Sequence, residues 1–266
     1  MADRLALAPH QPQQKQGLVI EDHTAIVDAD NQQVAEVNAL TTVDLSQELT
    51  DEHGEHLYQL RDGRYILKNA VTTDPELWRA ALKNGQQLVN LGAENINQNW
   101  WRMPNGCEPA ALLEGLHLKQ VATQFNYLDF LKQMPRAADY NPYHGFGGEP
   151  DQDVAGHFEA IFPEPLIAWA QEYAPVRNLS GLAADQLAVS VQQKRPVVAY
   201  VTVGFEAPQW AQYSFGKALR NNHAVLVDGF FGELLHVSDP IEGRYWLSLA
   251  RFKQAYDARL WAIEIG

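Results

Sequence analysis

The 266-residue chain contains one cysteine, and that scarcity excludes whole classes of chemistry. A lone thiol cannot close an intramolecular disulfide, nor supply the several thiolates of a structural zinc site. What remains is a buried inert thiol or a reactive one. Positive charge is also short: 20 Lys and Arg stand against 33 Asp and Glu, a formal net charge of -13. Nucleic-acid binding relies on basic side chains that neutralise phosphates, so no nucleic-acid partner is expected. Long apolar runs are missing, so no membrane span is expected. Near the start, Leu5-Ala6-Leu7-Ala8 is too short for the hydrophobic core of a signal peptide. The expected location is extracellular or cell-surface if a signal peptide has been removed, and cytoplasmic otherwise.

What is present reads as a globular protein, with 46% apolar and 20% charged residues. Residues 1–16, with Gln and Pro crowded between Pro9 and Gln16, read as a disordered lead-in. Over residues 17–72 the pattern is short, alternating and broken by turns. Leu18 to Ile20, Thr24 to Val27, Val34 to Val37, Thr41 to Leu45, His56 to Leu60 and Tyr65 to Leu67 are expected strands, with Asp28 to Asn31 and Asp62-Gly63 as turns. So many short strands in one stretch predict a small β-barrel module. Residues 73–94 read as a linker with a short helix, capped by Asp74, opened by Pro75 and ended by Asn84-Gly85. From 95 to 266 helices come first: Cys107 to about Ala122, Asn126 to Met134, Glu164 to Tyr173 and Asp185 to Lys194. Strands follow at Val197 to Val203, His223 to Phe230, Leu234 to Val237, Arg244 to Leu247 and Leu260 to Ile265. Helices before antiparallel strands is an α+β order.

Chemistry concentrates at three points. Cys107 follows Pro104-Asn105-Gly106 and opens a helix, where free N–H groups and the positive dipole end favour a thiolate. Gly106 would leave room for a substrate beside the sulfur. His223 opens a strand whose hairpin partner ends at Asp239-Pro240. A three-residue loop, Phe230-Phe231-Gly232, would set Gly229 opposite Glu233 and His223 opposite Asp239. Cross-strand partners lie about 5 Å apart at Cβ, near enough for carboxylate and imidazole to bond. A slip of one residue would send them to opposite faces. Nucleophile, base and orienting acid are the parts of a thiol hydrolase, and on spacing alone they imply acyl transfer to sulfur.

Pro104-Asn105-Gly106-Cys107-Glu108, Asn141 to Gly148, Pro163 to Leu166, Arg195 to Val198, His223-Ala224-Val225 and Val237 to Pro240 together resemble a bacterial branch of papain-like cysteine peptidases, relatives of the bacteriocin leader peptidases. The resemblance covers about residues 95–265. It implies a papain-like domain cleaving peptide or amide bonds, with Cys107, His223 and Asp239 as triad and no cofactor. It also implies a glutamine before the cysteine as oxyanion donor, a place for which Gln98 and Asn99 both stand near. Leu57 to Leu60 followed by Gly63 to Ile66 resembles the closing hairpin of bacterial SH3-like wall modules, which implies possible cell-wall association and a peptide or peptidoglycan-linked substrate. A non-catalytic peptide- or wall-binding protein on the same fold, and an acyl transferase to an amine, stay open as alternatives.

Other features are expected to be structural. Gly145-Phe146-Gly147-Gly148 follows no strand and opens no helix, so it reads as a loop beside the cleft and not a phosphate cradle. His144 and His157 lack the spacing of a helical metal pair, and no metal is expected. Asn178-Leu179-Ser180 fits a glycosylation sequon too common to carry weight. Trp100 and Trp101 read as core anchors.

Overall fold

A computed structural model describes residues 15–21, 23–51, 55–82 and 88–266. The expected lead-in over 1–14 and the helix end at Asn84-Gly85 lie outside the described residues. The chain divides into two compact units, Met1–Arg79 and Ala80–Gly266.

The first unit is built of β1 Lys15–Val19, β2 Thr24–Val27, β3 Gln33–Val37, β4 Thr42–Thr50, β5 His56–Leu60, β6 Tyr65–Leu67 and β7 Val71–Thr72, with α1 Pro75–Leu82 crossing the divide. Lys15 and Gln16, expected in the lead-in, already pair with Leu45 and Asp44 of β4. The seven strands form one antiparallel sheet ordered β3-β2-β6-β5-β4-β1-β7. Val19, Ile26, Val43, Leu45, Tyr58, Leu60, Ile66 and Val71, drawn from six of the strands, share one apolar cluster. β4 runs on to Thr50, past the expected Leu45, because β5 gives its polar half backbone partners.

The second unit contains β8 Val89–Asn90, α2 Cys107–Leu118, α3 Tyr127–Leu131, α4 Pro163–Ala170, β9 Val176–Asn178, α5 Ala184–Gln192, β10 Val197–Thr202, β11 Trp210–Tyr213, β12 Gly216–Leu219, β13 Asn222–Phe231, β14 Leu234–Asp239, β15 Gly243–Ser248, α6 Leu249–Tyr256 and β16 Ala262–Ile265. Its main sheet runs β15-β14-β13-β10-β16-β9, with β8 also on β13. Strand alternation sorts the core onto two faces. Val198, Tyr200, Ala224 and Leu226 join α2 and α4 on one side. Val197, Ala199, Val201, Val225 and Val227 join α5 and α6 on the other. A sheet covered on both faces explains why β10 is buried along its whole length. Helix α2 is buried from Cys107 to Leu116. Gly115 lets it settle on the sheet, since a Cβ there would stand 2.4 Å from the Ile265 Cδ1.

The β13–β14 hairpin departs from the expected register. Phe231 pairs with Leu234, so the turn is the two residues Gly232-Glu233, with Gly232 at φ 62° where such a turn needs a left-handed residue. Asp228 is then bulged: Gly229 pairs with His236 but Val227 pairs with Val237. Beyond the bulge Leu226 faces Ser238, and continuing the ladder sets Asp239 against Val225 in place of His223. The displacement from expectation is two residues, an even number, so both side chains keep the same face.

Candidate active site

Cys107 is the first residue of α2, and Gly106 is its N-cap. The space beside Gly106 is not open to substrate, contrary to expectation. The Tyr127 hydroxyl fills it, donating to the Gly106 carbonyl at 2.7 Å, and a Cβ on Gly106 would fall 1.9 Å from that oxygen. Glycine is required here for packing.

His223 and Asp239 are both buried, and His223 Nε2 lies 2.8 Å from Asp239 Oδ1. They meet as a diagonal cross-strand pair, within reach of an extended imidazole. Asp239 is held from other directions too. Its Oδ1 accepts the Ile241 N–H at 2.8 Å and its Oδ2 accepts the Tyr245 hydroxyl at 2.9 Å. Burial alone would raise the Asp239 carboxyl, but the His223 bond and charge, with the Ile241 and Tyr245 donors, outweigh it and leave the group below its ordinary range. With Nε2 occupied, Nδ1 is the ring nitrogen left for the nucleophile side. Asn222, the residue before His223 on β13, donates to the Glu108 carboxyl that contacts the Cys107 sulfur, so β13 meets the head of α2 next to His223.

The expected helix-start thiolate does not hold in the resting site. Cys107 is only 7% exposed, and burial pushes the thiol well up, reinforced by the Glu108 carboxyl that accepts from its sulfur at 3.2 Å. Desolvation and an adjacent acid outweigh the helix dipole. Glu108 is fully buried, and burial lifts its own carboxyl to about 7. Asn222 Nδ2 donates to its other oxygen at 2.9 Å.

Of the two oxyanion candidates, Gln98 is buried and Asn99 exposed. Gln98 Nε2 donates to the Pro104 carbonyl in the turn before Cys107, while Oε1 is buried with no partner among the described residues. Its backbone N–H donates to Pro240 at 2.8 Å. Just upstream, Asn95 Nδ2 donates to Ser238 Oγ and to the Asp239 carbonyl, each at 2.9 Å, and Ile96 N–H donates to Glu114 of α2 at 2.6 Å. Residues 95–98 therefore tie the nucleophile helix to the turn that carries Asp239. Asn97 Oδ1 accepts the N–H groups of Asn99 and Trp100 and so caps the turn between them. Trp100 is 85% exposed and Trp101 39%, so neither is the expected core anchor, although Trp101 rests edge-on against Tyr127.

The remaining features take no part in these contacts, although Phe146 shares the core cluster of Cys107 and Asn105 donates to the carbonyls of Glu149 and Pro150 just after the glycine-rich loop. His144 bonds Asp139 at 2.8 Å on the surface, and His157 stacks on Tyr140. Gly145 to Gly148 belong to an irregular loop in which Phe146 N–H donates to Pro135 and Gly147 N–H to Ala160. Asn178 accepts the Ser180 N–H, which makes the sequon a local turn. Among the described residues no helix is long and apolar enough to cross a membrane.

Sequence reasoning missed Glu108, Glu114, Asn222 and Tyr245. An acid in the first turn of a helix normally complements the dipole from the surface, so nothing local marks Glu108 as buried.

Comparison with known proteins bears on the family and the fold. No curated protein matches the chain. A crystal structure of a candidate C39-like peptidase from Bacillus anthracis superposes with a TM-score of 0.58 at 20% identity, covering 68% of this chain and 98% of that one. At that identity the likeness speaks for the fold. The family model described as Peptidase_C39 like matches residues 90–260, and the chain belongs to that family.

Proposed function

We propose that the second unit is a cysteine hydrolase that cleaves a peptide or amide bond through a thiol acyl-enzyme. The observation that supports this best is the buried His223–Asp239 pair on the strand whose Asn222 bonds the Glu108 carboxyl next to the Cys107 sulfur at the head of α2. The Cys107 sulfur attacks the carbonyl carbon, and His223, oriented by Asp239, delivers the thiol's proton to the leaving amine as the C–N bond breaks. Water then attacks the thioester, giving up a proton through His223 and returning one to the sulfur. Gln98 Nε2 carries a second hydrogen beyond the one given to Pro104, and with the Cys107 backbone N–H it forms the oxyanion donor set. Because burial favours the neutral thiol at rest, the mechanism uses no preformed thiolate–imidazolium pair, and His223 carries the proton on to the amine.

A closed binding module on the same fold is the second reading, favoured by the slight exposure of the sulfur. A peptide library incubated with the protein and read by mass spectrometry decides between them. Cleavage that vanishes in Cys107→Ala and in His223→Ala supports the hydrolase. Cleavage that survives Cys107→Ala removes Cys107 from the chemistry, and binding without cleavage favours the module. Added amines report any transfer in place of hydrolysis.

We further read the first unit as an SH3-like module that brings the enzyme to the cell wall, with a peptidoglycan-linked peptide as substrate and the cell surface as its place of action. The short antiparallel strands around one apolar cluster support it. Retention of the full chain on purified peptidoglycan tests it.

A further inference from the structure

Glu108 is an ionisable group in contact with the sulfur that the three-residue mechanism leaves without a task. We propose that Glu108 is a further catalytic residue: it forms a one-proton pair with Cys107, and the sulfur becomes a thiolate only while the carboxyl holds that proton. The inference rests on Cys107 being the reactive thiol.

The geometry is direct. Glu108 Oε2 lies 3.2 Å from Cys107 Sγ, the carboxyl is excluded from solvent, and Asn222 Nδ2 fixes its other oxygen at 2.9 Å. The groups that face it come from four elements. Its own helix contributes the thiol, and β13 contributes Asn222 and the His223 ring, whose charge acts on it. From α3 and β10 come the Tyr127 and Tyr200 hydroxyls, which bond to the carbonyls of Gly106 and Ile161. Both phenols are raised by burial and stay neutral. Two anions at this separation in a dry site are strongly disfavoured, so ionised Glu108 keeps the sulfur protonated. Breaking the S–H bond and forming Oε2–H leaves the pair with one proton and a single negative charge, and needs no co-reactant. As the thioester forms and the sulfur loses its charge, that proton passes by way of His223 to the leaving amine.

Such a pair titrates in two steps that belong to both groups. The thiolate population rises with pH until the carboxyl loses its proton, then stays level until the thiol itself ionises. The lone cysteine makes iodoacetamide alkylation of the full chain, without substrate, a clean readout. Wild type should show a rate that climbs to about pH 7 and then flattens. In Glu108→Gln the bend should vanish: the two profiles coincide below the bend, and above it the variant should pull ahead by about tenfold per pH unit. Asn222→Ala removes a donor that favours the carboxylate, so the bend should move to higher pH, and this variant decides the matter if Glu108→Gln does not fold. In His223→Ala the bend should persist, because it belongs to the carboxyl. Parallel profiles for wild type and Glu108→Gln, a bend unmoved in Asn222→Ala, or its loss in His223→Ala would overturn the proposal. Since no substrate is used, failure to find hydrolysis would leave this result standing on its own.

Discussion

At the scale of single residues, two buried carboxyls pull the stability of the site in opposite directions with pH. Asp239 has a lowered carboxyl in the fold, so the stability it contributes is present above the ordinary carboxylate range and is lost as pH falls through its folded value. Glu108 is raised to about 7 by burial, so between 4.5 and 7 the folded protein holds more protons than the unfolded chain and stability falls as pH rises. Asp239→Asn separates orientation from structure. The amide retains the shape but not the charge that supports an imidazolium, and a rate loss of about 10²–10⁴-fold is expected. The same variant should flatten the acid arm of the unfolding curve, because the proton-linked part of the Asp239 contribution is gone. Cleavage rates and urea midpoints from pH 3 to 8 check both statements. An unchanged rate would mean that Asp239 only holds the Asp-Pro turn in place.

At the scale of elements, the site depends on a helix start and a hairpin, and the two were legible to different degrees. The run Cys107 to Leu116 reads as a helix from its spacing, but the reason for Gly106 does not, because Tyr127 arrives from another helix. The His223–Asp239 contact is predictable in kind and not in register. A two-residue turn and the Asp228 bulge each shift the ladder, and only their combined even displacement preserves the shared face. At the bulge the Asp228 carboxylate is held by the His236 ring at 2.5 Å, across the same hairpin, and by the Ala93 N–H at 2.8 Å, a partner 135 residues away that no local pattern announces. Helix α6 escapes notice because β15 passes into it with no loop, at the single residue Ser248, whose side chain caps it. The packing at the helix start is open to test. Tyr127→Phe should cost about 1 kcal/mol for the lost hydrogen bond. Gly106→Ala should cost more, about 1–3 kcal/mol, because the new methyl collides with the phenolic oxygen. In the double variant that oxygen is absent, so its cost should fall below the sum of the two. Strict additivity in denaturant melts would show that the clash is relieved elsewhere.

At the scale of the whole molecule, each unit closes its own core. The cluster from Val19 to Val71 draws only on the first unit, and both clusters that sandwich the larger sheet draw only on residues from Val89 onward. Every group placed in the chemistry, from Asn95 through Asp239 to Tyr245, also lies in the second unit. A domain that owns its core and its site has what it needs to fold and react alone. Residues 80–266 expressed by themselves should therefore unfold cooperatively and alkylate with the same pH profile as the full chain, while retention on peptidoglycan, if the first unit provides it, is lost. Failure of the fragment to fold would show that the first unit does more than deliver the enzyme. A folded fragment with an altered alkylation profile would show that the first unit reaches the thiol's surroundings.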